Sequence, residues 1–432
     1  MKKNVIIFFE MISRELEACK RLKEKLEQNN INAFIFSVAY ENCNAVALSR
    51  KIKIDMIIVP WMYHDENYEL FQPLLKSNPS MKIVNLHHEQ IGSEVSEGVL
   101  IPSCENSKNS VLHFVWGEFF KEKLIESGVK ENFIWITGNI RTDSAHEMII
   151  SKEALAKEFN LDLKKRWLLY SESRGWVLIN SKKKDAQMIH LGIPEEFLEE
   201  RKEVNLKSLE LTIEEMNHLP EEFFEKYEFI YRPHPGTKPS DNINDKIRVI
   251  YKYQIYDWLS VVDLNIVWGS TTIFESDLAG VPSIVHEPHS YPDRQKVNGL
   301  ENYPKISRLE DVNDALIEYC KREVIPKNIY KRYIGQADGK SVDRVVSSII
   351  EILNEEVIGY KAKQVRYSKK ANLKWYLFQK LTKLFILTNT LEVFKYPRSA
   401  YDLRHEIPYK MTKGHKMGKD ENGNIKQSFV EE

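Results

Sequence analysis

The residues best suited to chemistry lie in the stretch 228–287. Within it, Gly269-Ser270-Thr271-Thr272 follows an apolar run, and a helical pattern starts directly after it, carrying Glu275 and ending at Gly280-Val281-Pro282. Strand, small polar turn and helix together make an anion-binding arrangement. Amides at a helix N-terminus have no internal partner, and the helix dipole favours negative charge there. One Ser or Thr is explained by capping alone; three hydroxyls beside a glycine that admits close approach to the backbone exceed that need. The same stretch opens with Arg232-Pro233-His234-Pro235. Two prolines fix the backbone on either side of His234, so its imidazole can donate to a phosphate while Arg232 adds charge. A stiff loop with an incidental histidine is the bland alternative.

Other clusters fall at the ends of apolar runs. Asn85-Leu86-His87-His88-Glu89-Gln90 offers a carboxylate and two imidazoles, the groups that serve as general base or nucleophile. Its spacing lacks the i, i+4 histidines of a zinc helix. Thr137-Gly138-Asn139-Ile140-Arg141-Thr142-Asp143 brings Arg141 and Asp143, which line a cleft or pair with each other. Ser171-Glu172-Ser173-Arg174-Gly175 places Ser171 and Arg174 at another strand end. Asp338-Gly339-Lys340-Ser341 reads as a turn with Ser341 capping the last helix. No phosphate-loop, dinucleotide, nucleophile-elbow or paired acidic metal motif occurs, so no metal and no cofactor is expected.

The elements that must position these groups alternate. Short apolar runs at 5–9, 31–37, 55–59, 82–86, 111–116 and 133–137 are separated by helical patterns, as in a parallel sheet covered on both faces. The helix 13–29 has Ser13 as a candidate cap. A second series starts at Trp167-Leu168-Leu169-Tyr170 and continues through 229–232, 248–251, 264–268 and 283–286. Ligands of such sheets bind at the carboxyl ends of the strands. The chain has 432 residues, 42% hydrophobic and 29% charged, with a net charge of −1, which gives ample core and no general attraction to nucleic acid. Its four cysteines are scattered and form no C-x-x-C pair, consistent with reduced thiols in a cytoplasm. The opening Lys2-Lys3 and apolar run are too short for a signal peptide. The tail differs: lysines at 361, 363, 369, 370, 374, 380 and 383 are interleaved with Leu373, Trp375, Tyr376, Leu377, Phe378 and Leu381. That pattern fits a helix lying on an anionic membrane surface, and equally a helix packed on the body with solvated lysines. Beyond about 410 the composition reads as disordered.

Taken together, the motifs resemble those of the bacterial surface-polysaccharide glycosyltransferases of the GT-B fold. That group includes CMP-sugar transferases for Kdo and sialic acid and the CDP-glycerol glycerophosphotransferases of teichoic acid synthesis. The resemblance rests on Trp116-Gly117, Gly128 and 136–143, on Arg232-Pro233-His234-Pro235, on Trp268–Thr272 through Glu275 to Gly280-Val281-Pro282, and on Asp338-Gly339-Lys340-Ser341. Ile140 stands where that group usually has proline. Where its CMP-sugar members have two acids and a glycine, this chain has His88-Glu89-Gln90-Ile91-Gly92.

The resemblance implies an α/β GT-B fold, with two facing Rossmann-like domains across a cleft and a basic amphipathic C-terminal extension. The expected domains are 1–143 for the acceptor, 144–165 as connection, 166–355 for the nucleotide sugar, and 356–432 as tail. Donor-binding residues would be Arg232, His234, Gly269, Ser270, Thr271, Thr272 and Glu275, with Glu89 and His88 catalytic and Arg141, Asp143, Ser171 and Arg174 in the cleft. The implied enzyme is metal-independent and moves a sugar, CMP-linked by preference, to a growing surface polysaccharide or glycolipid. Its partners would be the nucleotide-sugar donor, a glycan or glycolipid acceptor and an anionic membrane through 361–395. Its place would be the cytoplasm, at the inner face of the plasma membrane. Polyol-phosphate transfer from a CDP-glycerol-type donor and a non-catalytic scaffold for polysaccharide assembly are the alternatives, with a sugar-nucleotide epimerase on the same fold, acting on free UDP-sugar, a distant fourth.

Overall fold

The structure is a computed structural model, and it describes residues 2–10, 12–38, 41–146, 150–174, 182–190, 192–234, 242–290, 292–321, 329–336, 338–362 and parts of 373–429. The chain divides into two compact units. One comprises Met1–Gln90, Ile101–Arg141 and Lys340–Glu432; the other comprises Ile91–Leu100 and Thr142–Gly339.

The first unit is built on a six-stranded parallel sheet of β1 (Asn4–Phe9), β2 (Asn32–Ser37), β3 (Met56–Val59), β4 (Lys82–Asn85), β5 (Leu112–Val115) and β6 (Ile134–Ile136), in the order β2-β1-β3-β4-β5-β6. β1 shows why. Val5, Ile6, Ile7, Phe8 and Phe9 are all fully buried, with alternate side chains entering cores on opposite faces of the sheet. A strand flanked by helices on both sides needs apolar residues at every position. Burying each such side chain contributes roughly 1.5–3 kcal/mol.

The second unit has β7 (Arg166–Ser171), β8 (Tyr227–Arg232), β9 (Arg248–Val249), β10 (Leu264–Val267), β11 (Ser283–His286) and β12 (Lys305–Ile306), in the order β12-β11-β10-β7-β8-β9. Read from the other edge, this is the Rossmann order, third, second, first, fourth, fifth, sixth. Its topological switch point lies between β7 and β10, and that of the first sheet lies between β1 and β3.

Four expectations are corrected. The helix Ser341–Asn354, expected with the second domain, belongs to the first unit. Its stripe Val342, Val345, Val346, Ile349 and Ile352 is buried with Leu16, Cys19, Leu22 and Leu26 of the helix Ile12–Gln28, and Lys25 pairs with Asp343 at 3.0 Å. The stretch 144–165, expected as a connection, is part of the second unit because Leu155, Ala156 and Leu161 enter its core beside Trp167 and Trp258. The first helix begins at Ile12, so Ser13 lies inside it. Beyond residue 410, the described residues form an antiparallel hairpin, β13 (His415–Lys419) with β14 (Ile425–Phe429). Most of the basic stretch 361–395 lies outside the described residues. Among the described residues, no helix is long and apolar enough to cross a membrane.

Candidate active site

In the second unit, the turn 268–272 leaves β10 at the switch point and starts the helix Thr272–Leu278. Ser270 Oγ donates to Thr272 Oγ1 at 2.8 Å and accepts from the Thr272 amide at 3.2 Å. The amides of Ile273 and Phe274 bond back to the carbonyls of Ser270 and Thr271. Those of Ser270 and Thr271 have no partner among the described residues, and the Thr271 side chain caps nothing. The anion donors this turn leaves open are therefore the amides of Ser270 and Thr271, the backbone expected to hold the phosphate, and the hydroxyls of Thr271 and Thr272. Glu275 lies half-buried on the same helix, and its carboxylate bonds to no described residue. A Cβ on Gly269 would sit at ordinary van der Waals distance, 3.8 Å, from Val297, so nothing in the protein itself demands glycine there. Beside the turn is a cavity of about 40 Å³, floored by Trp268, Val285 and Leu300, with Glu287 and Lys305 among its polar groups.

The turn is braced from beneath by residues expected to line a cleft. Arg174 is buried, and all five of its N–H donors are engaged. Nε and Nη2 reach Glu172 at 2.7 and 2.6 Å, Nη1 reaches Ser208 at 2.9 Å and Thr212 at 3.1 Å, and Nη2 also reaches the Tyr170 hydroxyl at 3.1 Å. Glu172 further accepts from the amides of Ser173 and Arg174 and from the Tyr231 hydroxyl. Burial alone would raise its carboxyl, but the Arg174 charge and these bonds outweigh burial and hold it below the usual range. The guanidinium lies 5.4 Å from the centre of the Trp268 ring, whose N–H is held by Asn205 at 3.1 Å. Ser171 bonds to Asn265 at 2.8 Å and is buried as well. Ser171 and Arg174 are thus corrected from cleft residues to core residues, because β7 is central and the helix Glu195–His218 covers its end.

Arg232 is corrected too: its guanidinium donates to the carbonyls of Lys252, at 3.0 Å, and Tyr253. It ties β8 to the next loop rather than waiting for an anion. His234 is half-buried just beyond β8, and β8 neighbours β7 in the sheet. The adjoining Pro235 and Gly236 lie outside the described residues. Asp143 is buried in a 3-10 turn of the second unit.

In the first unit, the loop after β4 is held by an internal frame. His87 adopts φ 48°, and its Nε2 lies 2.8 Å from His113 Nδ1. His113 Nε2 donates to the Ser107 carbonyl at 2.9 Å, so its Nδ1 is the acceptor for His87. Burial, with His113 and His88 nearby, holds His87 well below its ordinary range, and burial pushes His113 down to about 4. Both rings are therefore neutral structural groups. Gln90 is also buried. Its Nε2 serves the carbonyls of Leu86, His87 and Phe114 at 3.1–3.3 Å, and its Oε1 accepts from the Trp116 amide at 2.7 Å. A carboxylate at position 90 would have no hydrogen for any of the three carbonyls, which accounts for glutamine in place of the acid.

That frame presents His88 and Glu89. Glu89 is partly exposed and ion-paired with Arg14. His88 is buried, with Nδ1 2.9 Å from Glu15 Oε1 but off the axis of a straight hydrogen bond. The other Glu15 oxygen accepts from the Glu10 amide at 2.7 Å. Arg141 lies 5.3 Å from the centre of the Trp116 ring and donates to the His88 carbonyl at 3.3 Å. Glu15, His88, Trp116, Asn139 and Arg141 surround a cavity of about 10 Å³, room for roughly one water. Sequence reasoning missed Arg14 and Glu15. The available signal was their position at the start of the helix that follows β1, at the first sheet's switch point.

Gly138 (φ 79°) and the last helix explain each other. A Cβ at Gly138 would lie 2.6 Å from Ser341 Oγ and 3.0 Å from Arg344 Nη2. Arg344 Nε donates to the Thr137 carbonyl at 2.8 Å. The cap of that helix is Lys340, so Ser341 is a packed first-turn residue rather than an N-cap. The Thr-Gly-Asn and Asp-Gly-Lys-Ser motifs meet here in a structural junction.

Two doubly wound units of this kind define the GT-B fold class. Solved structures with the same fold include a histidine variant of the wall teichoic acid polymerase TagF, with TM-score 0.53 and 13% identity over 82% of this chain and 89% of that one. The TagF structure soaked with CDPG matches with TM-score 0.50 and 12% identity, over 82% and 89%. The S. aureus MnaA–UDP co-structure matches with TM-score 0.50 and 15% identity, over 84% of this chain and 100% of that one. No protein-family model and no curated protein matches the sequence.

Proposed function

We propose that this protein is a transferase that uses a nucleotide-activated donor, moving a sugar from a CMP-linked carrier to a growing surface glycan or glycolipid. The observation that carries the proposal is the pair of amides at Ser270 and Thr271 and the Glu275 carboxylate one turn on, all without a partner among the described residues, at the switch point of the Rossmann-ordered sheet. These amides and His234 hold the donor phosphate, and Glu275 takes a ribose hydroxyl. The half of the reaction carried by the first unit is base catalysis on an acceptor hydroxyl. Its O–H proton passes to His88, the acceptor oxygen bonds to the sugar carbon, and the sugar–phosphate bond breaks with release of the nucleotide. Arg14 neutralises Glu89, which leaves His88, backed by Glu15, as the better base. Donors fixed in place stabilise the charge that develops on the leaving phosphate. The protein acts in the bacterial cytoplasm, with the basic tail at the inner membrane face.

The fold shared with TagF, a wall teichoic acid polymerase solved with CDPG, supports polyol-phosphate transfer as a second reading. Incubation with CMP-, CDP-, UDP- and GDP-linked donors, followed by assay of released nucleotide, separates the two. Thermal shift with the free nucleotides tests the site itself. If none of them raises the melting temperature, and Thr271→Pro changes nothing, the donor site is refuted and the scaffold reading stands.

A further inference from the structure

β2 is one of the two edge strands of the first sheet. The outward-facing backbone groups of an edge strand are a template for pairing with another chain. Its sequence, Asn-Ala-Phe-Ile-Phe-Ser, has no charge, no proline and no glycine, the composition of a segment prone to strand pairing. Here the outward groups of Ile35 and Ser37 are already engaged by the chain itself. At Ser37, the amide donates to Glu41 Oε2 at 3.0 Å, and the carbonyl accepts from the Glu41 amide at 2.9 Å. At Ile35, the amide donates to Gln427 Oε1 and the carbonyl accepts from Gln427 Nε2, both at 2.8 Å. The Gln427 carboxamide thus reproduces the donor and acceptor that a neighbouring strand would supply, from a residue 392 positions away. Gln427 is 2% exposed.

β14, which carries Gln427, pairs with β13 in a separate two-stranded sheet. Ile425 packs on the core beneath, but a void of about 490 Å³ bounded by Phe36, Leu48, Met417 and Ile425 separates the hairpin from the helix Asn42–Ser49. Among the described residues, the Ile425 contact and the two Gln427 bonds seat the hairpin, and those bonds close the edge at Ile35.

We propose that Gln427 is an edge cap, and that the β2 edge beneath it is a pairing surface for a second copy of this chain. The occupant follows from the strand itself. A neutral edge meeting its own copy antiparallel about a two-fold axis brings no like charges together and satisfies the outward groups on both sides. Uncapping then frees the donor and acceptor of Ile35 for pairing, while Glu41 still holds Ser37.

The test uses the full-length chain with Gln427→Leu and Gln427→Ala, read by amide hydrogen exchange and by sedimentation over a range of concentrations. Exchange at β1 and β3 reports whether the sheet is intact. The expected result is exchange at the Ile35 amide about fivefold faster or more in dilute solution, the effect of losing roughly one hydrogen bond. Concentration-dependent association absent from the wild type should accompany it, with Ile35 protected again in the associated species. Unchanged Ile35 exchange in both variants would overturn the cap. Faster exchange with wild-type sedimentation at every concentration would overturn the second copy as occupant.

Discussion

Arg174→Met removes the positive half of the buried pair under the 268–272 turn. The variant keeps side-chain length and loses all five donors. Ser208 and Thr212 keep their own bonds to the carbonyls of Asn205 and Ser208, so the cost there is small. Glu172 carries most of the penalty: it retains the amides of Ser173 and Arg174 and the Tyr231 hydroxyl, but its countercharge is gone. Breaking a buried pair on one side costs roughly 3–5 kcal/mol, and three remaining donors put this case near 3. The pH dependence has a definite sign. In the wild type, the lowered Glu172 carboxyl contributes stability that is present above the unfolded carboxylate range and lost as pH falls through the folded value. In the variant, burial acts without the guanidinium, so the destabilisation is greatest at neutral pH and shrinks in acid. Because the chain has two units, the measurement should be local: hydrogen exchange of the slowest amides in β7 and β8 reports the opening free energy of the second unit. The double variant Glu172→Gln/Arg174→Met should recover most of the loss. A single-variant loss below about 1 kcal/mol at pH 7, or a double variant as unstable as the single, would refute the claim that the pair acts as a unit.

Gln90→Glu should destabilise the first unit by about 1–3 kcal/mol, since three carbonyls lose their shared donor, and differential exchange at Trp116 would register it. Asp277, half-buried beneath the Tyr303 and Tyr319 hydroxyls, is pushed up to about 6 by desolvation, against the pull of those bonds. A raised folded value means stability that is full below the unfolded range near 4 and lost as pH rises through about 6. Asp277→Asn should therefore melt higher than the wild type at pH 8 and no higher at pH 4, and a constant difference would argue against this origin. Gly138→Ala should lower the melting temperature of the first unit through both its positive φ and the clash with Ser341; a companion Ser341→Gly should relieve only the clash.

The sequence determined the sheets. Uninterrupted apolar runs such as Val5–Phe9 are stable only between two covering layers, and their alternation with amphipathic helices dictates parallel pairing. It also located the 268–272 turn, because glycine, hydroxyls and a helix start are local signals. The roles of charged residues were not legible in the same way. Arg141, Arg174 and Arg232 sit in similar turn-like clusters at strand ends, yet one lies against Trp116, one fills a buried network and one binds two carbonyls. Whether a guanidinium meets solvent or a carboxylate depends on what a distant segment lays over it; for Arg174 that is the helix Glu195–His218. Distance along the chain hid the partners as well. Glu15 reaches His88, Ser341 fills the space Gly138 leaves, and Gln427 closes the edge at Ile35, each across a separation that no local pattern spans. Periodicity reports which face of an element is apolar, so it fixed the layers; which polar group completes which was decided only when the layers closed.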